Sequence, residues 1–334
     1  MNLIIPMAGR GTRLRPHTLT IPKPLIPIAG KPIVERLVED IFKVCDQPIA
    51  HIGFVIDRDF GEAVENELKL IAERAGSNAH IFYQNDKLGT AHAILCAEQI
   101  LEGNVVVAFA DTLFKADFVL DSTQDGIIWV QQVDDPSAFG VVEVNNSEII
   151  TAFVEKPQEP VSDLAIIGIY YFKDGLFLKR ELQKLIDENR MVNGEYQLTD
   201  ALENMKLKGC EFTPGQVSEW LDCGNKDATV YTNKRYLEYL SSQDLQSKKV
   251  AKKNVVIVPP VFLGDDVVLE NSIIGPHVSI GPNSVIKGSI VQNSIVQSNS
   301  ELNNVNIKNS MIGNFVRYDN KPKDVSLGDY NVFS

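Results

Sequence analysis

Acidic residues are missing from the first 34 positions of a chain that carries 44 Asp+Glu against 32 Lys+Arg overall, for a net charge of −12. Other absences narrow the field further. No run reaches the ~18 apolar residues of a transmembrane helix. The opening MNLIIPMAG has neither the charged n-region nor the full apolar h-region expected of a signal peptide. The four cysteines, Cys45, Cys96, Cys210 and Cys223, form no CxxC pair, which disfavours a disulfide framework and is read as reduced thiols in a cytoplasmic protein. The five histidines show no metal-ligand spacing. The acidic balance argues against nucleic acid or an anionic membrane as the main partner. There is no GxxxxGK[ST] loop and no GxGxxG fingerprint. Disorder is not expected, because 44% of the residues are hydrophobic.

Against that background the acid-free opening stands out. Its five basic residues are Arg10, Arg13, Arg15, Lys23 and Lys31. An apolar strand candidate, Leu3 to Met7, runs into Ala8-Gly9-Arg10-Gly11-Thr12-Arg13. Glycines at positions 9 and 11 let the main chain come close to a ligand, and successive N–H groups in such a turn form an anion-binding concavity. Arg13 offers a planar fork of donors suited to phosphate oxygens. Lys23 is a compact charge held between Pro22 and Pro24. Polyphosphate binding is the chemistry these residues suit, although GxGTR alone also describes an ordinary glycine turn.

At 334 residues, two domains are expected. Short β-branched runs at Leu3–Met7, Ile52–Ile56, Ile81–Tyr83 and Val105–Ala110 alternate with amphipathic stretches at Val34–Val44, Glu62–Ala75 and Ala91–Leu101. This alternation predicts an α/β domain over 1–240 with a mostly parallel sheet, whose ligands bind at the carboxyl ends of the strands. A polar stretch, 241–254, reads as a linker. In 255–334 the character changes: Gly follows an aliphatic residue at 264, 275, 281 and 313, and Asn271-Ser272-Ile273, Asn293-Ser294-Ile295 and Asn309-Ser310-Met311 echo one another. Repeats of roughly six residues predict a β-helix with irregular coils. From Ser241 onward there are nine Lys+Arg and eight Asp+Glu, so the negative charge lies in the first domain. The near-neutral repeat block suits packing or assembly better than a second catalytic centre.

The motif Gly9-x-Gly11-Thr12-Arg13, followed by Pro22-Lys23-Pro24-Leu25 and Lys31-Pro32, resembles the signature of the sugar-1-phosphate nucleotidylyltransferases. Their loop often carries one more glycine (AGGxGTR) than this chain has. The resemblance implies a Rossmann-like, GT-A-like catalytic domain, a left-handed parallel β-helix after it, and transfer of a nucleotide from an NTP to a sugar 1-phosphate with Mg²⁺. Arg13 and Lys23 would hold the triphosphate, together with Ala8, Gly9, Gly11 and Thr12. Asp111, at the end of the Val105–Ala110 run, and Asp222, in Trp220-Leu221-Asp222-Cys223-Gly224, would hold the metal; their plainer readings are a helix N-cap and a loop aspartate. Gln84-x4-Gly89-Thr90-Ala91-His92 resembles the branches that read a pyrimidine, with Gln84, Gly89 and Thr90 at the nucleotide and His92 a simple helix residue. Gly140, Glu155, Lys156, Gly168 and Glu195 lie in blocks that resemble the sugar-phosphate side, although Glu155-Lys156-Pro157 is by itself an ordinary charged turn.

The specific expectation is dTTP or UTP with glucose 1-phosphate. The alternatives are mannose 1-phosphate with GTP, N-acetylglucosamine 1-phosphate with UTP, or a non-catalytic regulatory relative. Acyl transfer by the β-helix would rest on His277 alone. The partners expected are the two substrates and further copies of the chain through the β-helix.

Overall fold

The computed structural model describes residues 1–334 apart from 158, 160, 322–323, 327–328 and 331–334. It divides into two compact units: Met1–Ile26 with Lys31–Gly224, and Pro27–Gly30 with Asn225–Ser334.

The first unit is built on a nine-stranded mixed sheet. Its parallel part comprises β1 (Asn2–Pro6), β2 (His51–Ile56), β3 (Asn78–Tyr83) and β4 (Val105–Ala108), in the order β3–β2–β1–β4. β1 and β4 are buried along their whole length, which explains why they read as continuous aliphatic runs rather than alternating ones. Three helices fall between these strands: α1 (Ile33–Val44), α2 (Gly61–Arg74) and α3 (Thr90–Leu95). On α1 the buried stripe Ile33, Val34, Leu37, Val38, Ile41 and Val44 has the three-to-four spacing of an amphipathic helix. α3 is shorter than its apolar pattern predicts. After Leu95 the chain tightens into i→i+3 bonds, with Ala97 N–H donating to Ile94 O at 3.0 Å and Ile100 N–H to Ala97 O at 3.0 Å, and Ala97, Ile100 and Leu101 remain buried.

Beyond β4 the sheet continues with antiparallel pairing. Next come β5 (Thr112–Lys115), β6 (Gly126–Gln132), β7 (Gly140–Val144), β8 (Ile150–Glu155) and β9 (Leu164–Phe172). β9 pairs antiparallel with β4, β6 and β7, and β7–β8 form a hairpin at the sheet's end. Helices α4 (Gly175–Asp187) and α5 (Leu198–Leu207) pack on each other, β10 (Phe212–Gln216) joins β6, and β11 (Glu219–Asp222) pairs antiparallel with β5 in a separate two-stranded ribbon.

The second unit contains α6 (Lys226–Tyr239) and a left-handed parallel β-helix, the class of fold expected from the repeats. Its first strand, Ala251–Ile257, begins within the stretch read as linker. Partners along the ladders are 17 residues apart in the early coils (Val268 with Val285) and 16 in the later ones (Val285 with Glu301), so the coils are uneven, as the repeats suggested. The corners explain the Asn-Ser echoes. Asn254, Asn271 and Asn304 share one corner, Asn283 and Asn299 a second, and His277, Asn293 and Asn309 a third, all with positive φ, a conformation Asn tolerates better than most residues. Their amides ladder from coil to coil, for example Asn293 Nδ2 to Asn309 Oδ1 at 2.7 Å. Where a serine follows a corner it turns inward and accepts a backbone N–H from the next coil: Ser272 Oγ from Ser289 at 3.1 Å, and Ser289 Oγ, after Gly288, from Val305 at 3.1 Å. His277 occupies a corner with its Nε2 3.0 Å from Glu238 Oε1 of α6, a structural place.

Candidate active site

In the order β3–β2–β1–β4 the direction of chain progression reverses between β1 and β4. Open parallel sheets bind ligands in the crevice outside the carboxyl ends of the strands at that reversal. β1 ends at Pro6 and leads into Met7-Ala8-Gly9, while β4 ends at Ala108 and leads into Phe109-Ala110-Asp111. Between them lies a cleft of about 420 Å³. Its lining includes Ala8, Gly9, Gly11, Thr12, Arg13, Lys23, Gln84, Gly89, Thr90, Asp111 and Glu195, all singled out in the sequence.

Local structure accounts for much of this. Gly11 has φ +58, and a Cβ there would lie 2.9 Å from Lys23 Cβ, so the turn and the lysine are packed as one piece. A Cβ on Gly9 would meet no atom within 4 Å. The protein itself therefore sets no steric demand for glycine at position 9, and the vacant space is cleft. Arg13 sits on a 3₁₀ turn, Thr12–Leu14, anchored by the fully buried Leu14. Lys23 is buried, and its Nζ lies 3.0 Å from Asp111 Oδ2.

The aspartates converge through the β5–β11 ribbon. Asp222 stands opposite Thr112 in the ladder, and Cys223 N–H donates to Asp111 O at 3.0 Å. No helix follows Asp111, so the N-cap reading of that residue falls. Burial pushes the Asp222 carboxyl above the ordinary aspartate range; the Gly224 N–H opposes this, the Asp111 charge adds to it, and Lys23 and Arg13 oppose it. A cation between the two carboxylates would relieve both the burial cost and the repulsion. The donor set fits a hard divalent ion that takes its remaining ligands from phosphates and water. Among the described residues no group of three or more His, Cys, Asp or Glu could hold a metal without such help.

Gln84 and Gly89 form the opposite wall. Gly89, at φ +101, abuts the segment carrying Glu195: a Cβ would come 2.5 Å from Tyr196 O. Tyr196 N–H donates to Leu88 O at 2.7 Å, Ala91 N–H to Tyr196 O at 3.0 Å, and Leu198 N–H to Thr90 Oγ1 at 3.0 Å. These bonds bring Glu195 into the cleft. Gln84 Nε2 donates to Gly89 O at 3.1 Å and lies 3.2 Å from His92 Nδ1, so His92, read as a simple helix residue, supports the wall.

The other sugar-side candidates are placed differently. Gly140 pairs with Glu155 in the β7–β8 hairpin, and a Cβ on Gly140 would lie 3.0 Å from Glu155 Oε2. Lys156 follows with φ +44 and an exposed ammonium 3.7 Å from Glu155 Oε1. These three are not among the lining residues. Gly168 lies where the β9 register shifts, and its carbonyl accepts the N–H of the lining residue Phe109 at 2.9 Å. The hairpin meets the aspartate ribbon through Phe139 and Trp220, whose rings pack edge to face with centroids 4.8 Å apart. Sequence reasoning missed this bridge, which spans 81 positions, and also missed Lys87, a cation in the lining with no motif to mark it.

A switch-point cleft lined by an acid-free glycine loop, Lys23 and Asp111, with Asp222 near enough to feel the Asp111 charge, suits a nucleotide-handling α/β enzyme. The comparisons give that class its family. The sequence profile of the nucleotidyl transferase family matches residues 3–239. The chain is 30% identical over 374 residues to the bifunctional protein GlmU of Methanococcus aeolicus, covering 100% of this chain and 85% of that protein. It is 27% identical to the glucose-1-phosphate thymidylyltransferase of Streptomyces griseus, covering 99% of this chain and 98% of that one. Among solved structures, a UDP-glucose pyrophosphorylase complexed with UDP-glucose superposes with a TM-score of 0.58 at 25% identity, covering 71% of this chain and 98% of that one. The chain belongs to the nucleotidyl transferase family, and its class is that of the sugar-1-phosphate nucleotidyltransferases.

Proposed function

We propose that the chain transfers a nucleoside monophosphate from dTTP or UTP to glucose 1-phosphate, with Mg²⁺, releasing pyrophosphate. The observation that carries this reading is the meeting of Lys23 with Asp111 beside Asp222 at the mouth of the glycine loop. Both reactants are anions, so the site must screen their repulsion and align them. Arg13 and the N–H groups of the loop hold the triphosphate. Lys23, kept in place by Asp111 and the Gly11 turn, faces the phosphates as charge passes to the leaving group. Asp111 and Asp222 hold the magnesium, which supplies further neutralisation when bound. A phosphate oxygen of the sugar 1-phosphate attacks the α-phosphorus, the bond from that phosphorus to the bridging oxygen breaks, and pyrophosphate leaves with the electron pair. Lys156 grips the sugar phosphate from the hairpin rim, and Glu155 and Glu195 accept hydrogen bonds from sugar hydroxyls. Gln84 and Gly89 receive the base. The choice of a pyrimidine is supported by this wall and by the nucleotides named for the thymidylyltransferase and UDP-glucose relatives.

We place the protein in the cytoplasm. Among the described residues no helix is long and apolar enough to cross a membrane. Further copies meet through the β-helix, whose ladder stacks the exposed side chains of Val256, Ile273 and Ile290 in one column.

The test is pyrophosphate release with magnesium across the common NTPs and a panel of glucose, mannose and N-acetylglucosamine 1-phosphates. Turnover with dTTP or UTP and glucose 1-phosphate is expected. Turnover only with GTP and mannose 1-phosphate would overturn the substrate assignment, and no turnover by folded protein would favour a regulatory role.

A further inference from the structure

The wall assigned to the base contains a cation with no role so far. Lys87 lines the cleft beside Gln84 and Gly89. Its Nζ lies 3.0 Å from Asp57 Oδ2, and Asp57, just past the carboxyl end of β2, is itself fixed by accepting the Asp59 N–H at 3.0 Å. The surrounding loop is also held. Arg58 Nε donates to Asn85 Oδ1 at 2.9 Å, and Leu88 N–H to Asp86 O at 2.9 Å. The side chain is exposed, and its ammonium is tethered by Asp57 at the edge of the cleft.

Gln84 has a defined orientation. The amide atom 3.1 Å from Gly89 O must be the nitrogen, because a carbonyl oxygen only accepts. The same nitrogen lies 3.2 Å from His92 Nδ1. Both amide hydrogens are directed into the protein, and the part of the amide left for a ligand is its oxygen, an acceptor. Lysine brings three donors and no acceptor, so it can keep Asp57 and still donate to a ligand. An acceptor beside a cationic donor complements an imide edge, where N3–H lies next to a carbonyl, as in uracil and thymine. Cytosine reverses both positions: its N3 accepts and its 4-amino group donates.

We propose that Lys87 is a specificity-determining residue that, together with the Gln84 oxygen, selects a uracil-type base over cytosine. The inference deepens the proposed function and rests on its placement of the base at Gln84.

The experiment measures kcat/KM for UTP against CTP, and for dTTP against dCTP, in wild-type protein, Lys87→Met and Lys87→Arg. Wild type should strongly favour the imide bases. Lys87→Met should narrow that ratio about tenfold, mainly through loss with UTP or dTTP, the scale expected for one charge-assisted hydrogen bond. Lys87→Arg keeps the donors and should keep the ratio within about threefold. An unchanged ratio in Lys87→Met, or equal losses with both bases, would overturn the role of Lys87 while leaving the proposed function in place. A wild-type preference for CTP or dCTP would overturn it as well. Wild-type silence with every NTP would instead sink the reading on which the inference rests.

Discussion

Gly89→Ala should damage the catalytic unit out of proportion to the single methyl group it adds. Gly89 has φ +101 and ψ −177, a region essentially reserved for glycine, where another residue costs about 1–3 kcal/mol. The new Cβ would also lie 2.5 Å from Tyr196 O and 2.8 Å from Tyr196 N, backbone atoms that cannot swing aside as a side chain can. Relief requires the two segments to part. That would strain the bonds Tyr196 N–H to Leu88 O (2.7 Å) and Ala91 N–H to Tyr196 O (3.0 Å), at about 1 kcal/mol each. The sum is about 3–5 kcal/mol, or roughly a 10 °C fall in Tm for a unit of this size. Because Gly89 O also accepts from Gln84, the nucleotide KM should rise. Gly61→Ala is the matched control: at φ +78 and ψ 169 it occupies the same backbone region, yet a Cβ would meet nothing within 4 Å, so only the backbone term of about 1–3 kcal/mol applies. Calorimetry and pyrophosphate-release kinetics on both variants decide the matter. Equal, small Tm losses and an unchanged nucleotide KM in Gly89→Ala would refute the reasoning.

Asp222→Asn should abolish turnover yet leave the metal-free protein at least as stable as wild type, since it removes a half-buried charge near Asp111; a lowered Tm in EDTA would contradict this. The raised Asp222 pKa means the folded metal-free protein keeps a proton that the unfolded chain has released, so stability should fall as pH rises through the range just above the ordinary aspartate value. Urea titrations in EDTA should show that slope weakened in Asp222→Asn. In the β-helix, Ser289→Ala leaves the buried Val305 N–H without its acceptor and should cost about 1–3 kcal/mol by denaturant unfolding; a loss below about 0.5 kcal/mol would speak against the serine ladder. Ile273→Glu, in the exposed aliphatic column, should lower the sedimenting mass without lowering Tm, and an unchanged mass would move the assembly surface elsewhere.

The parts of the fold that were legible in the sequence are those with local signals. β1 and β4 are buried on both faces and so appear as unbroken aliphatic runs, and α1 shows its buried stripe at helical spacing. The Asn-Ser corners announced the β-helix, because the coils turn on left-handed residues and several follow them with an inward hydroxyl. The glycines in that region mean something else. A Cβ on Gly281 would come 2.7 Å from Ser298 N of the next coil, so this glycine permits close stacking. What escaped were features set by distant pairing. Nothing near Thr112 foretells that Asp222 will lie across from it, or that Phe139 will pack on Trp220. α6 buries Thr229, Thr232 and Asn233, a polar stripe with little hydrophobic signal, so its membership of the second unit was not visible. Within the site, the glycine loop was legible from its residues and the aspartates from their resemblance to a family, while Lys87 looked like any lysine.

The most direct test of the account is a ³¹P NMR time course of wild-type and Asp222→Asn protein with magnesium, dTTP or UTP, and glucose 1-phosphate. The account predicts that wild type converts the triphosphate and monoester resonances into a diphosphate diester and pyrophosphate in equal amounts, and that the folded variant leaves them unchanged. Release of orthophosphate instead, or a variant that matches wild type, would contradict it.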